Sequence, residues 1–472
     1  MPGEAVAPAR AAAFELLLGE AAASRTFDLN AAAGVAFAGL DRRDRALAYE
    51  LATGTIKRRS TVDRVIAACA EVSPGRTRPA VREALRLGAF QLLYLDRVPA
   101  HAAVSESVEL AKRSGRRDGA FANAVLRRVA TGGADALARL TEGSSIEVLA
   151  LRHSHPVWLV SLWRRELGGE TTEALLAADN LPAERCVRVN RLRGTREQAI
   201  AALAADGIDA RPAASDTDPD SQGGWPDALL LEGAPLEGSV ALRDGLVTPQ
   251  SRGSQLAGTV ATGALGPGAG GAFVDLCAAP GVKTSQVAAA LPGWRVVAVD
   301  DDLQRAVALR DNLRRLGVDA VEVVERDVLE LGDEDGRGRY QGVLLDAPCS
   351  GLGTLAARPD LRWRRRPADV ERLAALQRRL LSVAAALVAP GGTLTYSVCT
   401  LTRAETFEVV ERFLAGEPGG SPAAPRQAAW TVDDLGALLP ALRHPRNGAY
   451  VQTMPSRDAT SGFFVARLRR VA

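Results

Sequence analysis

Few residues in this chain are able to do covalent chemistry. It holds five cysteines, Cys69, Cys186, Cys277, Cys349 and Cys399, and only four histidines among 472 residues. An odd, scattered set with no C-x-x-C pair makes neither a disulfide framework nor a structural zinc site, so no metal is expected and the protein is read as reduced and cytoplasmic. Three of the cysteines lie in the second half, two of them close to Asp, Pro and Gly, in DLCAAPGVKT, LLDAPCSG and TYSVCTL. A deprotonated thiol in such a place is a strong nucleophile that also leaves well, whereas a lone buried cysteine is ordinarily an inert small hydrophobe. Lysine is equally scarce. Arginine stands in its place everywhere but at Lys57, Lys112 and Lys283. Lys283, inside the first of those cysteine segments, is therefore a candidate for a specific task, and chance survival is the reading for the other two.

The elements that must carry these residues give them meaning. From about residue 245, short runs rich in β-branched residues, AFVDL, RVVAVD, AVEVVERD, GVLLDAP and GTLTYSV, alternate with helical stretches. In the stretch 369–388, Leu373, Leu376, Leu380, Ala384 and Leu387 share one face. The alternation predicts an α/β domain with a mostly parallel sheet covered on both sides, closed by a pair of strands in GAYVQTM and GFFVARL. In an open parallel sheet, ligands bind beyond the carboxyl ends of the strands. AFVDL runs into CAAPGVKT, where Gly281 permits close backbone approach before a helix that starts near Thr284. RVVAV ends in Asp300, nineteen residues after Gly281, about the distance at which a second-strand acid reaches a ribose hydroxyl. AVEVV leads to Asp327, GVLL to Asp346 and Cys349, and GTLTYSV to Cys399. The turn is not G-x-G-x-x-G, which disfavours a dinucleotide dehydrogenase. Each feature alone has an ordinary explanation, such as an aspartate cap. Together, two cysteines and three aspartates at consecutive strand ends converge on one crevice.

Residues 10 to about 130 show apolar spacing of three and four throughout, as in AAAFELLLGE, STVDRVIAACA and FANAVLRRVA, with Pro99 and Gly119 marking helix boundaries. This predicts an all-helical domain over 1–135, a small α+β segment over 145–245 and the α/β domain over 246–472. The middle segment reads as a helix in HSHPVWLVSLWRRELG carrying Trp158 and Trp163, a strand RCVRVN and a helix from Thr195 to Ala205. A polar loop to Gly224 and strands at Leu229–Leu231 and Ser239–Leu242 follow. At 47% hydrophobic and 24% charged residues the chain is globular rather than disordered. It has no apolar run that could span a bilayer and no secretory signal. Residues 1–130 carry 20 Lys plus Arg against 14 Asp plus Glu, a surplus of six that suits a polyanionic partner.

DLCAAPGVKT, DAPCSGLGTLAARPDLRW and TLTYSVCTLTRAE, in this order and spacing, resemble the RNA cytosine-carbon-5 methyltransferases of the bacterial RsmB (Sun) branch of the RsmB/NOP family. VPAHAAVSESVELAKR followed by FANAVLRRV resembles the RNA-binding NusB domain, a pairing typical of that branch, which methylates 16S ribosomal RNA. The resemblance covers nearly the whole chain. It departs at Val282, where the family's APGGKT has a glycine, and at Val398, where the family has a threonine. It implies a Rossmann-like methyltransferase domain that uses S-adenosyl-L-methionine. The residues it implies for the cofactor are Cys277, Ala278, Ala279, Pro280, Gly281, Val282, Lys283, Asp300, Asp327 and Asp346.

The resemblance also implies roles. Cys399 attacks carbon 6 of the base and Cys349 serves product release, whereas DNA cytosine methyltransferases attack with the Pro-Cys cysteine. Asp346 is expected to hydrogen-bond the cytosine edge and Lys283 to orient groups in the crevice. RNA, 16S in particular, is the expected partner, with neither DNA nor a membrane, and the protein is expected to be a monomer. Arg362, Arg364, Arg365 and Arg366, interleaved with Trp363, are candidates for the RNA backbone, against the alternative of a solvated basic loop. Three rivals stand beside this reading: a non-enzymatic RNA-binding protein, a DNA methyltransferase using Cys349, and an RNA methyltransferase with a transfer-RNA target. Retention of both cysteines and Lys283 argues against the first.

Overall fold

The computed structural model describes residues 6–23, 27–72, 74–213, 225–266, 270–332, 337–417 and 429–471. The polar loop up to Gly224 and the centre of GALGPGAGG lie outside them. The chain forms two compact units: Met1–Leu181 with Arg358–Arg364, and Pro182–Ala357 with Arg365–Ala472.

The first unit is helical. Helices Pro8–Ala22, Arg42–Lys57, Arg59–Ala70, Pro79–Tyr94, Ala100–Lys112 and Arg116–Leu140 close around Phe14, Leu17, Leu51, Ile56, Ile66, Leu85 and Leu126. Pro99 stands just outside Ala100–Lys112, where a proline's missing N–H costs nothing. Gly119 is no boundary. It lies inside Arg116–Leu140, and a Cβ there would sit 2.3 Å from Cγ of Lys112, so it serves close packing. Helices Val157–Leu167 and Gly169–Ala178 belong to the same unit, with Trp163 wholly buried.

The second unit holds two sheets. The smaller consists of β1 (Cys186–Val189), β2 (Ile208–Pro212), β3 (Ala228–Gly233) and β4 (Val247–Pro249), all antiparallel in the order β2-β3-β1-β4. The expected strand at Ser239–Leu242 is instead a short helix, Val240–Arg243. The Ser239 hydroxyl accepts from the Leu242 amide at 3.2 Å, so serine's capping preference outweighs the β-branched valine.

The larger sheet contains β5 (Ala272–Leu276), β6 (Arg295–Asp300), β7 (Val321–Glu325), β8 (Tyr340–Asp346), β9 (Val388–Val398), β10 (Trp430–Val432), β11 (Val451–Gln452) and β12 (Phe464–Arg470). Its order is β10-β12-β9-β8-β5-β6-β7, with β11 on β12. The run β9-β8-β5-β6-β7 is parallel, and β12 joins β9 antiparallel. Val274, Leu276, Val343, Leu345, Leu394 and Tyr396 pack on helix Pro367–Leu387 through Leu380, Leu381 and Ala384. The order reverses between β5 and β8, because the chain runs outward through β6 and β7 and then returns to the other side of β5. A crevice opens beyond the strand ends at such a reversal.

Candidate active site

The first wall of the crevice is the turn after β5. Cys277 is left-handed at φ +59, the Ala279–Pro280 bond is cis, and Gly281, at φ +86, caps helix Val282–Ala290. A Cβ on Gly281 would lie 3.1 Å from Cγ of Leu309, so both its dihedral and its surroundings call for glycine. Asp300, buried at the end of β6, fastens this turn: one carboxylate oxygen accepts from the Ala279 amide at 2.9 Å and from Arg305 at 3.1 Å. Asp275, within β5, is wholly buried. Burial pushes its carboxyl up to about 7, while the Thr284 hydroxyl donates to it at 2.6 Å. Its other oxygen, Oδ1, has no hydrogen-bond partner.

These residues border a cavity of about 260 Å³. Asp275, Cys277, Ala278, Ala279, Pro280, Val282, Lys283 and Asp346 line one side, and Pro249, Gln250, Ser251 and Ser254 the other. Gly281, Asp300 and Asp327 are not in the lining. The first two shape the turn, and Asp327 caps a single helical turn by accepting from the Leu329 amide at 2.9 Å. Burial draws the guanidinium of Arg188, on β1, down to about 10. It donates to Oε1 of Gln250 and to Oγ of Ser285, both at 2.7 Å, tying one cavity wall to the other. The sequence reading missed Asp275, Arg188 and Gln250. An aspartate inside the apolar run AFVDL was the available signal; Arg188 and Gln250 offered none.

The second feature is a pair of thiols. Cys349, after β8, and Cys399, after β9, bring their Sγ atoms to 3.2 Å. The hydrogen bond from Cys349 lowers the Cys399 thiol below its ordinary value, helped by Lys283, against the opposing effects of burial and Asp346. The same contact, with burial, drives Cys349 well upward. Either sulfur can donate in this contact, and the two directions together favour the thiolate at Cys399 over Cys349. Lys283 Nζ lies 2.7 Å from Oδ2 of Asp346, whose Oδ1 accepts from the Ser397 hydroxyl at 2.5 Å. Burial opposes the ammonium charge, but Asp346 more than compensates and holds Lys283 above its ordinary value. The ammonium also sits 5.3 Å above the ring of Phe463.

The basic segment does not meet the expectation of a phosphate-binding stripe. Arg362 is wholly buried, Trp363 donates to the Ile56 carbonyl at 2.8 Å, and Arg364 donates to the Glu20 carbonyl at 2.7 Å. Arg365 holds the Ser350 carbonyl at 2.8 Å. Only Arg366 of the four arginines is exposed. Guanidinium groups spent on carbonyls inside the protein are not available to a backbone phosphate.

Chemically, a thiolate beside a protonated thiol, with a paired cation at the same strand ends, is equipped to add to an electron-poor ring carbon and to leave again. A family model described as 16S rRNA methyltransferase RsmB/F matches residues 262–469, a NusB family model residues 7–131, and an RsmF/B-like ferredoxin-like domain residues 155–221. A relative from Mycobacterium tuberculosis with a provisional methyltransferase name is 36% identical, covering 98% of this chain and 97% of its own. "Ribosomal RNA small subunit methyltransferase B" of Klebsiella pneumoniae is 32% identical, covering 90% of each. Among solved structures, PH0851 superposes with a TM-score of 0.78 at 26% identity, covering 99% of both chains.

Proposed function

The chain belongs to the family described as 16S rRNA methyltransferase RsmB/F, and from that membership we propose that it methylates carbon 5 of a cytosine in 16S ribosomal RNA, with S-adenosyl-L-methionine as donor and Cys399 as nucleophile. The observation that carries this reading is the approach of the Cys349 and Cys399 sulfurs to 3.2 Å at the ends of β8 and β9, with Lys283 held on Asp346 at the same strand ends. The cavity fits the cofactor by its donor set: Asp275 offers an unpartnered buried oxygen, and the turn Cys277–Pro280 brings backbone close to the space. Bound there, S-adenosyl-L-methionine would supply an electrophilic methyl group.

The chain's own residues account for the remaining steps. Carbon 5 of cytosine is a weak nucleophile while the ring stays aromatic. Addition of the Cys399 thiolate to carbon 6 forms an S–C bond and makes carbon 5 electron-rich, so that it accepts the methyl group. Transfer of the carbon-5 proton to solvent restores the double bond and expels the Cys399 thiolate. Cys349, at 3.2 Å, returns its S–H hydrogen bond to the departing sulfur. Lys283 stays charged through its pairing with Asp346 and favours the thiolate in both the first and last states. The target base must leave its stack to present its ring face, and the surplus of basic residues in 1–130 serves to hold the RNA. The same reading makes the protein a cytoplasmic monomer that takes RNA rather than DNA; among the described residues no helix is long and apolar enough to cross a membrane.

Single-turnover assays on 16S fragments test this reading. Cys399→Ala should abolish transfer, and Cys349→Ala should accumulate a covalent protein–RNA adduct visible on a denaturing gel. Turnover in Cys399→Ala together with a silent Cys349→Ala would overturn the assignment.

A further inference from the structure

Glu405 is wholly buried. Its carboxyl oxygens are held by a set of hydrogen bonds. Oε1 accepts from the Ser350 amide at 2.8 Å and from the Gln377 side chain at 3.1 Å. Oε2 accepts from the hydroxyls of Ser350 at 2.6 Å and Thr402 at 2.8 Å, and the Thr400 hydroxyl, 3.4 Å from Oε2, lies 2.9 Å from that of Ser350, so it is joined to Glu405 through Ser350 as well as directly. The identity of these donors is informative. Ser350 directly follows Cys349, and Thr400 directly follows Cys399, so one carboxylate grips the residue next to each thiol. Gln377 also donates to the carbonyl of Pro348, the residue before Cys349, at 2.9 Å. Tyr396, on β9, donates to the Glu405 carbonyl at 2.7 Å. The two cysteine loops are thus pinned to each other and to the sheet through Glu405.

Packing alone does not call for this arrangement. A buried carboxylate is costly to desolvate, and an apolar side chain would join two loops without that cost. We propose that Glu405 is the positioning residue that holds the Cys349 and Cys399 loops at the thiol–thiol separation the methyl transfer requires. This rests on the reading of the thiol pair given above. Glu405 touches neither sulfur by a hydrogen bond and acts through Ser350 and Thr400. Its charge has a second effect on the pair: it opposes ionisation of both thiols. A structural strut of the same shape without charge would lack that effect.

The test uses the full-length protein, Glu405→Gln, Glu405→Ala and Ser350→Ala. Two readouts are taken across pH: single-turnover methyl transfer to a 16S fragment, and alkylation of Cys399 by iodoacetamide, which needs no RNA. Glutamine keeps one acceptor oxygen and can donate from its amide to the hydroxyls, so the clamp survives in part. Glu405→Gln should lower the maximal rate by roughly tenfold and move the alkylation midpoint of Cys399 to lower pH. Glu405→Ala should lower the rate by about a hundredfold, as expected for misplaced reacting groups, with S-adenosyl-L-methionine binding retained. Ser350→Ala leaves the charge in place and should slow transfer without moving the alkylation midpoint. Wild-type rates and an unmoved alkylation midpoint in Glu405→Gln would overturn the proposal, whether or not Glu405→Ala folds. If the unaltered protein transfers no methyl to cytosine, the proposed function falls and the clamp with it, while an alkylation midpoint that still moves in Glu405→Gln leaves only the effect of Glu405 on the thiol pair standing.

Discussion

The Cys399 thiol is lowered chiefly by the hydrogen bond from Cys349 and raised by burial, and two nearby charges of opposite sign adjust that balance. Lys283 favours its thiolate, Asp346 disfavours it, and the two are themselves paired at 2.7 Å. The rate of a thiolate attack rises with pH through the thiol pKa and levels off above it. Because that pKa is lowered in the native site, the acid limb lies below that of an ordinary thiol. Lys283→Met removes the favourable charge, so the limb should move to higher pH and the rate at neutral pH should fall by at least about tenfold, one pKa unit's worth. Asp346→Asn removes the unfavourable charge, so its limb should move the opposite way, although its maximal rate also falls because Lys283 loses its partner. Single-turnover rate profiles of the two variants check both signs, and a shared direction of shift would contradict the assignment. At this scale the sequence was informative where rarity and position coincided, as at Lys283. It was silent on Lys57. That lysine is no chance survivor: buried, and drawn down to about 8 chiefly by burial, it donates to the Leu181 carbonyl. Neither neighbouring residues nor spacing announces a partner 124 positions away.

Among the elements, the five parallel strands of the larger sheet were legible because each is a short run rich in β-branched residues that leads to a polar or thiol-bearing one, whereas β10, three residues long, carries too little pattern to be read. Right-handed crossovers set the face on which each connecting helix lies, but the return of the chain to the far side of β5 is seen only in the sheet order. Asp275 was hidden because a carboxyl facing a cavity interrupts the apolar pattern without showing what it faces. The turn after β5 separates two glycine requirements that look alike in a motif. Gly281 has positive φ and a close neighbour, whereas Val282 opens helix Val282–Ala290 in ordinary helical conformation, where a Cβ is harmless. The family glycine at position 282 is therefore not demanded by the backbone of this chain. Gly281→Ala should cost about 1–2 kcal/mol of stability through its left-handed dihedral and weaken S-adenosyl-L-methionine binding. Val282→Gly should cost no more than about 1 kcal/mol, the difference a glycine makes in a helix, with cofactor affinity nearly unchanged. Thermal unfolding and calorimetric titration of the two variants check this. Equal losses of affinity would show that Val282 has taken over a binding role.

Across the whole molecule, Arg358–Arg364 lies in sequence among the catalytic motifs and yet belongs to the helical unit. No local pattern could reveal this, because a run of arginines around a tryptophan reads as surface until its partners are known. Arg362 donates to the carbonyls of Ser154 at 3.1 Å and Asp179 at 3.0 Å and to Oδ1 of Asn180 at 3.0 Å. Beside it lies a buried acid–imidazole contact whose protonation follows from geometry. Nδ1 of His155 is 2.9 Å from the His153 carbonyl, which can only accept, so Nδ1 carries the hydrogen. Nε2 then presents a lone pair to Oδ2 of Asp179 at 3.3 Å. Burial holds His155 neutral, so it brings no cation to the Asp179 carboxyl. Burial pushes Asp179 up to about 7 from an ordinary 3.8, against the pull of Arg362. Between those values the folded unit binds a proton that the unfolded chain does not. The stability this proton contributes is complete at and below the unfolded value and is lost as pH rises toward 7. Hydrogen exchange in helices Val157–Leu167 and Gly169–Ala178, corrected for intrinsic rates, should therefore quicken between pH 5 and about 7.5, and Asp179→Asn, which cannot ionise, should flatten that dependence. An unchanged slope in Asp179→Asn would place the titrating group elsewhere.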